Sequence, residues 1–227
     1  MQPALDIDNL EFVYPGADRP TFSAVSLRVS AREQVLIKGA SGSGKSTLLY
    51  TVAGLTRGAK GTVRVAGQDV LTMSPGARDR WRGAHLGLIF QTFNLLQGFS
   101  ALENVLAALK FSSRPRREHA PRARELLARL GVDRVEATPD ELSVGQQQRV
   151  AVARAVACEP ALVLADEPTA SLDPENAAAA LDLIQGVCRE RGAALVCTSH
   201  DPAVASRFER VIELSSSGIR GAVAARA

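Results

Sequence analysis

The sequence predicts an α/β fold built on a mainly parallel sheet covered by helices. Three observations carry that expectation. Short runs of Val, Leu, Ile and Ala alternate with longer helical patterns along the 227 residues, and such alternation sets successive strands side by side and parallel. A Gly/Ser-rich loop joins one of these runs directly to a helical pattern. Aromatic residues are only 4% of the chain against 46% hydrophobic, so the core must be assembled from aliphatic side chains.

Taken in order, residues 5–29 hold short β-like runs separated by a turn at Tyr14-Pro15-Gly16. Gln34-Val35-Leu36-Ile37 reads as a buried strand that enters the glycine-rich loop, and residues 46–53 continue as a helix. Gly61-Thr62-Val63-Arg64-Val65 is a strand closed by Gly67, and Leu86-Gly87-Leu88-Ile89-Phe90 is a further buried strand. Residues 102–130 turn helical and basic, with Arg114, Arg116, Arg117, Arg122, Arg124 and Arg129; a charge run of this kind reads as a solvated helix face. Past Gly145 a helix runs through Cys158, apolar nearly all round and therefore buried, until Pro160 stops it. Ala161-Leu162-Val163-Leu164-Ala165 follows as a strand. Asp173 and Pro174 have the chemistry of an N-cap and a first helical residue, opening a helix that Gly192 ends. Ala194-Leu195-Val196-Cys197-Thr198 and Val211-Ile212-Glu213-Leu214 complete the alternation. The tail after Ser215 is expected to fray, and no internal repeat is present.

A single domain over residues 1–227 suits this length. The net charge is +3, from 27 Lys and Arg against 24 Asp and Glu, too small an excess to argue for nucleic-acid binding. Cys158, Cys188 and Cys197 show no metal-ligand spacing, and each sits in an apolar helix or strand pattern; their odd number points to a reducing compartment. The N-terminus has no basic start followed by an apolar run, so no secretory signal is expected. The longest apolar run, residues 150–158, is interrupted by Arg154 and too short to cross a bilayer. Any membrane role is therefore expected to come through a partner.

Gly39-Ala40-Ser41-Gly42-Ser43-Gly44-Lys45-Ser46 matches G-x-x-x-x-G-K-[ST] and is followed by Thr47. Its glycines allow a tight wrap with N–H groups pointing at phosphate oxygens, and the helix that follows turns its positive end toward the same anion. Lys45 is placed to reach the β- and γ-phosphates, and the Ser46 hydroxyl to ligate Mg²⁺. The loop alone implies a nucleoside triphosphate without saying which. Asp166 and Glu167 end a buried strand, at the carboxyl edge where parallel sheets bind ligands. Asp166 suits a Mg²⁺ shell. Glu167, one residue further out, suits polarising a water for in-line attack on the γ-phosphate.

Further motifs then follow in a fixed order. Leu142-Ser143-Val144-Gly145-Gln146, opening a helix, resembles the LSGGQ motif of ABC-family ATPases. Ser171-Leu172-Asp173 is similar to that family's D-loop, His200 to its switch histidine, Gln91 to its Q-loop glutamine and Tyr14 to the aromatic that stacks on adenine. The resemblance covers essentially the whole chain. It implies a phosphate-loop NTPase core with a mainly parallel sheet, an antiparallel β subdomain and a helical subdomain over about residues 92–150. It also implies ATP hydrolysis with Mg²⁺, the metal shell drawing on Ser46, Gln91 and Asp166, and Glu167, His200 and Gln91 acting at the γ-phosphate. Two such chains, identical or a pair of different ATPases, would sandwich ATP between one phosphate loop and the other's Ser143, Gly145 and Gln146. Ser171, Leu172 and Asp173 would then cross the interface.

One position departs from the motif. Val144 stands where the family usually has Gly, and a β-branched residue restricts the backbone there while keeping its N–H donor.

The segment from Gln91 to Leu96, with Ala101-Leu102-Glu103-Asn104-Val105, looks like the lipoprotein-release and macrolide-export subfamily, which the related cell-division ATPase also resembles. The implied partner is a membrane permease, with the chain peripheral at the cytoplasmic face of the cell membrane. The alternatives are an ATPase of an amino-acid-type importer and a signalling role without transport. A long C-terminal extension of the sugar-importer kind is not expected. Translation factors with two cassettes and chromosome-handling proteins with a long coiled coil do not fit one cassette without heptads.

Overall fold

The computed structural model describes residues 2–170, 172–215 and 217–224. The chain opens with strands β1 (Leu5–Phe12), β2 (Phe22–Val29) and β3 (Gln34–Lys38), then helix α1 (Lys45–Val52). Strands β4 (Lys60–Val65) and β5 (Gln68–Asp69), helix α2 (Pro75–His85) and strand β6 (Leu86–Ile89) come next. Three helices follow, α3 (Ala101–Leu109), α4 (His119–Arg129) and α5 (Val144–Val156). The remainder is β7 (Leu162–Asp166), α6 (Pro174–Arg191), β8 (Ala194–Ser199), the short α7 (Pro202–Ala205), β9 (Arg210–Ser215) and β10 (Gly218–Ala224).

These strands form two sheets. One is antiparallel in the order β2-β1-β4-β5, the other six-stranded in the order β10-β9-β3-β8-β7-β6. In the larger sheet β9, β3, β8, β7 and β6 run parallel, and β10 adds to β9 antiparallel. The α/β class expected from the sequence is the class observed.

The central strands β7 and β8 are buried along their whole length, on both faces, which explains their continuous apolar runs. Along β7, Val163 and Ala165 join a core shared with α3, α4, α5 and α6, while Leu162 and Leu164 join a second core shared with α1 and the antiparallel sheet. Strand β8 divides the same way, with Leu195 and Cys197 on one side and Ala194 and Val196 on the other. Period-two alternation thus feeds two cores from one sheet.

Several expectations are corrected. The stretch expected as one helical pattern over residues 102–130 is two helices, α3 and α4, joined through Pro115 and a 3-10 turn at Arg116–Glu118. Proline lacks the N–H a continuous helix needs. The basic face there is solvated as expected, and part of it is also ion-paired: Arg114 and Arg122 converge on Glu159 at 3.0 and 2.8 Å, Arg124 meets Glu136 and Arg129 meets Glu190. The tail expected to fray is, over Gly218–Ala224, the strand β10. Cys158 lies in a turn past the end of α5, half-buried, whereas Cys188 and Cys197 are buried as expected. The N-cap Asp173, Pro174 at the first position and Gly192 at φ 72° bound α6 as its sequence indicates.

Candidate active site

Strand β3 ends at Lys38, and residues 39–44 wrap before α1 begins. Gly44 lies at φ 92°, and a Cβ there would stand 2.8 Å from Thr21 Cγ2, so the turn requires glycine. No side chain caps the N-terminus of α1, and its first turn carries no acidic residue. The helix therefore keeps its free N–H groups and positive end for an anion. Lys45, the first residue of α1, folds back against the loop and is only 5% exposed. Its Nζ donates to the Gly39 and Ala40 carbonyls at 2.9 and 3.1 Å and ion-pairs with Glu167 Oε1 at 3.4 Å.

The parallel register sets the acidic side opposite. Asp166, the last residue of β7, pairs with Thr198 of the neighbouring β8. It is 4% exposed and accepts three hydroxyl hydrogen bonds. Ser46 and Thr198 donate to Oδ1 at 3.0 and 2.8 Å, and Tyr50 donates to Oδ2 at 3.0 Å. Burial, followed by the charge of Asp166, pushes the Tyr50 phenol up to about 12, so this hydroxyl stays protonated as a donor. Glu167 adopts φ 44°, uncommon for a residue with a side chain. Its N–H donates to Thr198 Oγ1 at 3.1 Å, which holds the turn, and its Oε2 lies 2.5 Å from His200 Nδ1.

Tyr14, Ser41, Gly42, Gly44, Lys45, Ser46, Thr47, Gln91, Glu167 and His200 all line one cleft of about 510 Å³, a volume suited to a nucleotide-sized ligand. Tyr14 stands at its lip, its ring edge-on to Phe12 at 4.9 Å and its hydroxyl 2.8 Å from Thr47 Oγ1. Gly39, Ala40 and Ser43 belong to the loop but not to the cleft wall, and Asp166 reaches the site through Ser46. The hydroxyl of Ser46 and the carboxylate of Asp166 offer only oxygen ligands, which fits a hard divalent cation.

The structure does not bring every expected residue there. Ser143, Gly145 and Gln146 open α5 away from this cleft. Ser143 Oγ accepts from the Gln146 N–H at 3.3 Å while Gln146 Oε1 accepts from the Ser143 N–H at 3.1 Å. Val144 begins the helix and is not among the residues with positive φ, so the restriction expected of a β-branched residue costs nothing there. Asp173 spends its carboxylate on Asn176, and Leu172 lines a neighbouring hollow with His200. Ser171 lies outside the described residues. Reading the sequence missed Thr21, Tyr50 and Thr198. The spacing of Ser46 and Tyr50, four apart on one helix, was a usable signal for Tyr50.

A sheet that aims a helix N-terminus and a buried lysine at one cleft, and sets two carboxylates facing them, serves one class of ligand: the phosphates of a nucleotide. The ABC transporter family pattern matches residues 22–170. The lipoprotein-releasing system ATP-binding protein LolD of Chromohalobacter salexigens is 43% identical over 198 residues, covering 87% of this chain and 84% of that protein. The macrolide export ATP-binding/permease protein MacB of Escherichia coli is 42% identical over 217 residues, 94% of this chain. This chain spans only 33% of that relative's length. Among solved structures, the dimeric post-hydrolysis state of the ATP-binding cassette MJ0796, bound to ADP and Pi, has a TM-score of 0.86 and 32% identity. The match covers 98% of this chain and 99% of that one. The chain belongs to the ABC transporter family and is an ATP-binding, ATP-hydrolysing cassette of it.

Proposed function

We propose that this cassette works as one of a pair, driving a separate membrane permease of the kind served by lipoprotein-release and macrolide-export systems. The observation that carries the catalytic part is the placement of Glu167 between Lys45 and His200 at the mouth of the phosphate loop. The N–H groups of residues 39–47 and the Lys45 ammonium hold the β- and γ-phosphates. A γ-phosphate competes with Glu167 for Lys45, and the released carboxylate turns to a water as general base. His200 steadies that carboxylate, Gln91 orients the water, and Tyr14 stacks on adenine. Ser46, Asp166 and Gln91 would hold Mg²⁺, whose charge offsets that of the phosphates. Water oxygen then bonds to the γ-phosphorus as the bond to the ADP oxygen breaks.

Ser143, Gly145 and Gln146 sit away from their own chain's cleft, which supports a head-to-tail pair in which a second copy's α5 N-terminus closes over the γ-phosphate. Ser171, Leu172 and Asp173 would line that interface. Residues 1–227 then form one domain, with about 92–150 as its helical part. Among the described residues no helix is long and apolar enough to cross a membrane, so the reading places the cassette peripherally at the cytoplasmic face through its permease. A groove of about 460 Å³ between α2, β6 and the end of α3, carrying the exposed ring of Phe111, is where a permease segment would dock. The names of the relatives favour an export-type system over an amino-acid importer or a signalling role.

The test is Glu167→Gln. The variant is expected to bind ATP with near wild-type affinity, to lose at least about a hundredfold in turnover, and to accumulate as an ATP-dependent dimer on gel filtration. Near-normal turnover would overturn the assignment of the base.

A further inference from the structure

The Asp166 carboxylate is held by more than the phosphate loop. A carboxylate offers about four acceptor sites, and three hydroxyls fill three of them, with Ser46 and Thr198 on Oδ1 and Tyr50 on Oδ2. Ser46 is the one residue of the three that also lines the cleft. When its hydroxyl turns to a ligand there, Thr198 and Tyr50 still grip one carboxylate oxygen each. Tyr50 is itself fixed. It lies on α1 one turn beyond Ser46, and its ring packs against Phe90 at 6.2 Å between centroids.

We propose that Tyr50 is a positioning residue of the nucleotide site, whose phenol O–H locks the orientation of the Asp166 carboxylate and thereby sets the site's affinity for the divalent cation. This rests on reading Asp166 as part of the metal shell. The physical argument is that of outer-shell partners generally: a hydrogen bond to a ligating carboxylate removes its rotational freedom before the ion arrives. The contact joins residues 116 positions apart, and it acts on the one oxygen that neither Ser46 nor Thr198 reaches.

The experiment is a Mn²⁺ titration of the full chain with ADP, following the loss of the free-ion electron paramagnetic resonance spectrum. It uses the wild type, Tyr50→Phe, Asp166→Asn and the double variant. Tyr50→Phe keeps the ring and its packing and loses only the hydroxyl. It is expected to raise the Mn²⁺ concentration for half-saturation about tenfold, with ADP binding in EDTA unchanged. In the Asp166→Asn background the same change is expected to add nothing. If Asp166→Asn weakens Mn²⁺ binding and Tyr50→Phe does not, the role of Tyr50 is wrong. A persisting Tyr50→Phe effect in the double variant would show the hydroxyl acting elsewhere and would also overturn it. If Asp166→Asn itself leaves Mn²⁺ binding unchanged, the metal-shell reading fails and this inference with it.

Discussion

At Val144 a side chain stands where the family motif usually has none. Ser143 is extended at φ −62° and ψ 157°, and Val144 starts the helix with an ordinary backbone. Glycine's access to positive φ is not used at this position. What valine adds is an apolar group, 50% exposed, on the face proposed to meet a second copy. Val144→Gly is therefore expected to leave ATP affinity within about twofold of wild type, since the N–H donors of the α5 N-terminus are retained. Turnover should change by a few-fold at most. Equilibrium ATP titration and steady-state hydrolysis measure the two, and loss of nucleotide binding would contradict this account.

Between elements, the segment after Gln91 is held from two sides. Arg154 of α5 donates to the carbonyls of Phe93 and Asn94, both at 2.6 Å, and those two residues take positive φ. Asn104 of α3 is fully buried and spends its amide on the same segment. It accepts from the Leu96 N–H at 2.8 Å and donates to the carbonyls of Leu96, Phe99 and Ser100. Ser100 caps α3 in a reciprocal box with Glu103. These contacts differ in kind. Ser100→Ala removes a cap at a helix end, with an expected loss of about 1 kcal/mol. Asn104→Ala removes a fully buried side chain and takes its partner from the Leu96 N–H and from three carbonyls, with an expected loss of about 2–3 kcal/mol. Urea unfolding should return the two in that order, and the reverse order would mean that the segment finds other partners.

For the molecule as a whole, the nucleotide cleft and the Phe111 groove meet along β6 and the residues just after it. Phe90 and Asn94 line the groove and Gln91 lines the cleft. A permease docked in the groove, as proposed above, would have through that continuity a direct path to the cleft. Phe111→Asp places a charge on the proposed docking surface, at a residue that does not line the cleft. Basal ATP hydrolysis by the purified chain should stay at the wild-type rate, while co-purification of the tagged chain with its permease from detergent-solubilised membranes should be lost. Retained co-purification would place the docking surface elsewhere.

Much of this was legible in the sequence, because local chemistry governs it. Gly44 and Lys45 in the phosphate loop, the acids ending β7 and the cap and stop of α6 are each decided by residues within a few positions of one another. The strand runs also announced a sheet buried on both faces. Other features were not legible, for physical reasons. Strand β10 carries little apolar signal and exists by pairing with the edge of β9. Helix α2 buries just Trp81, too narrow an apolar stripe to stand out. The sequence by itself determined that a phosphate loop, a glutamine, two carboxylates and a histidine follow one another in that order along the chain. Only the tertiary structure decided that Thr198, by strand register, and Tyr50, by the packing of α1, both close on Asp166. Hydrogen bonds between residues 32 and 116 positions apart depend on how strands and helix are laid side by side, and no local pattern encodes that.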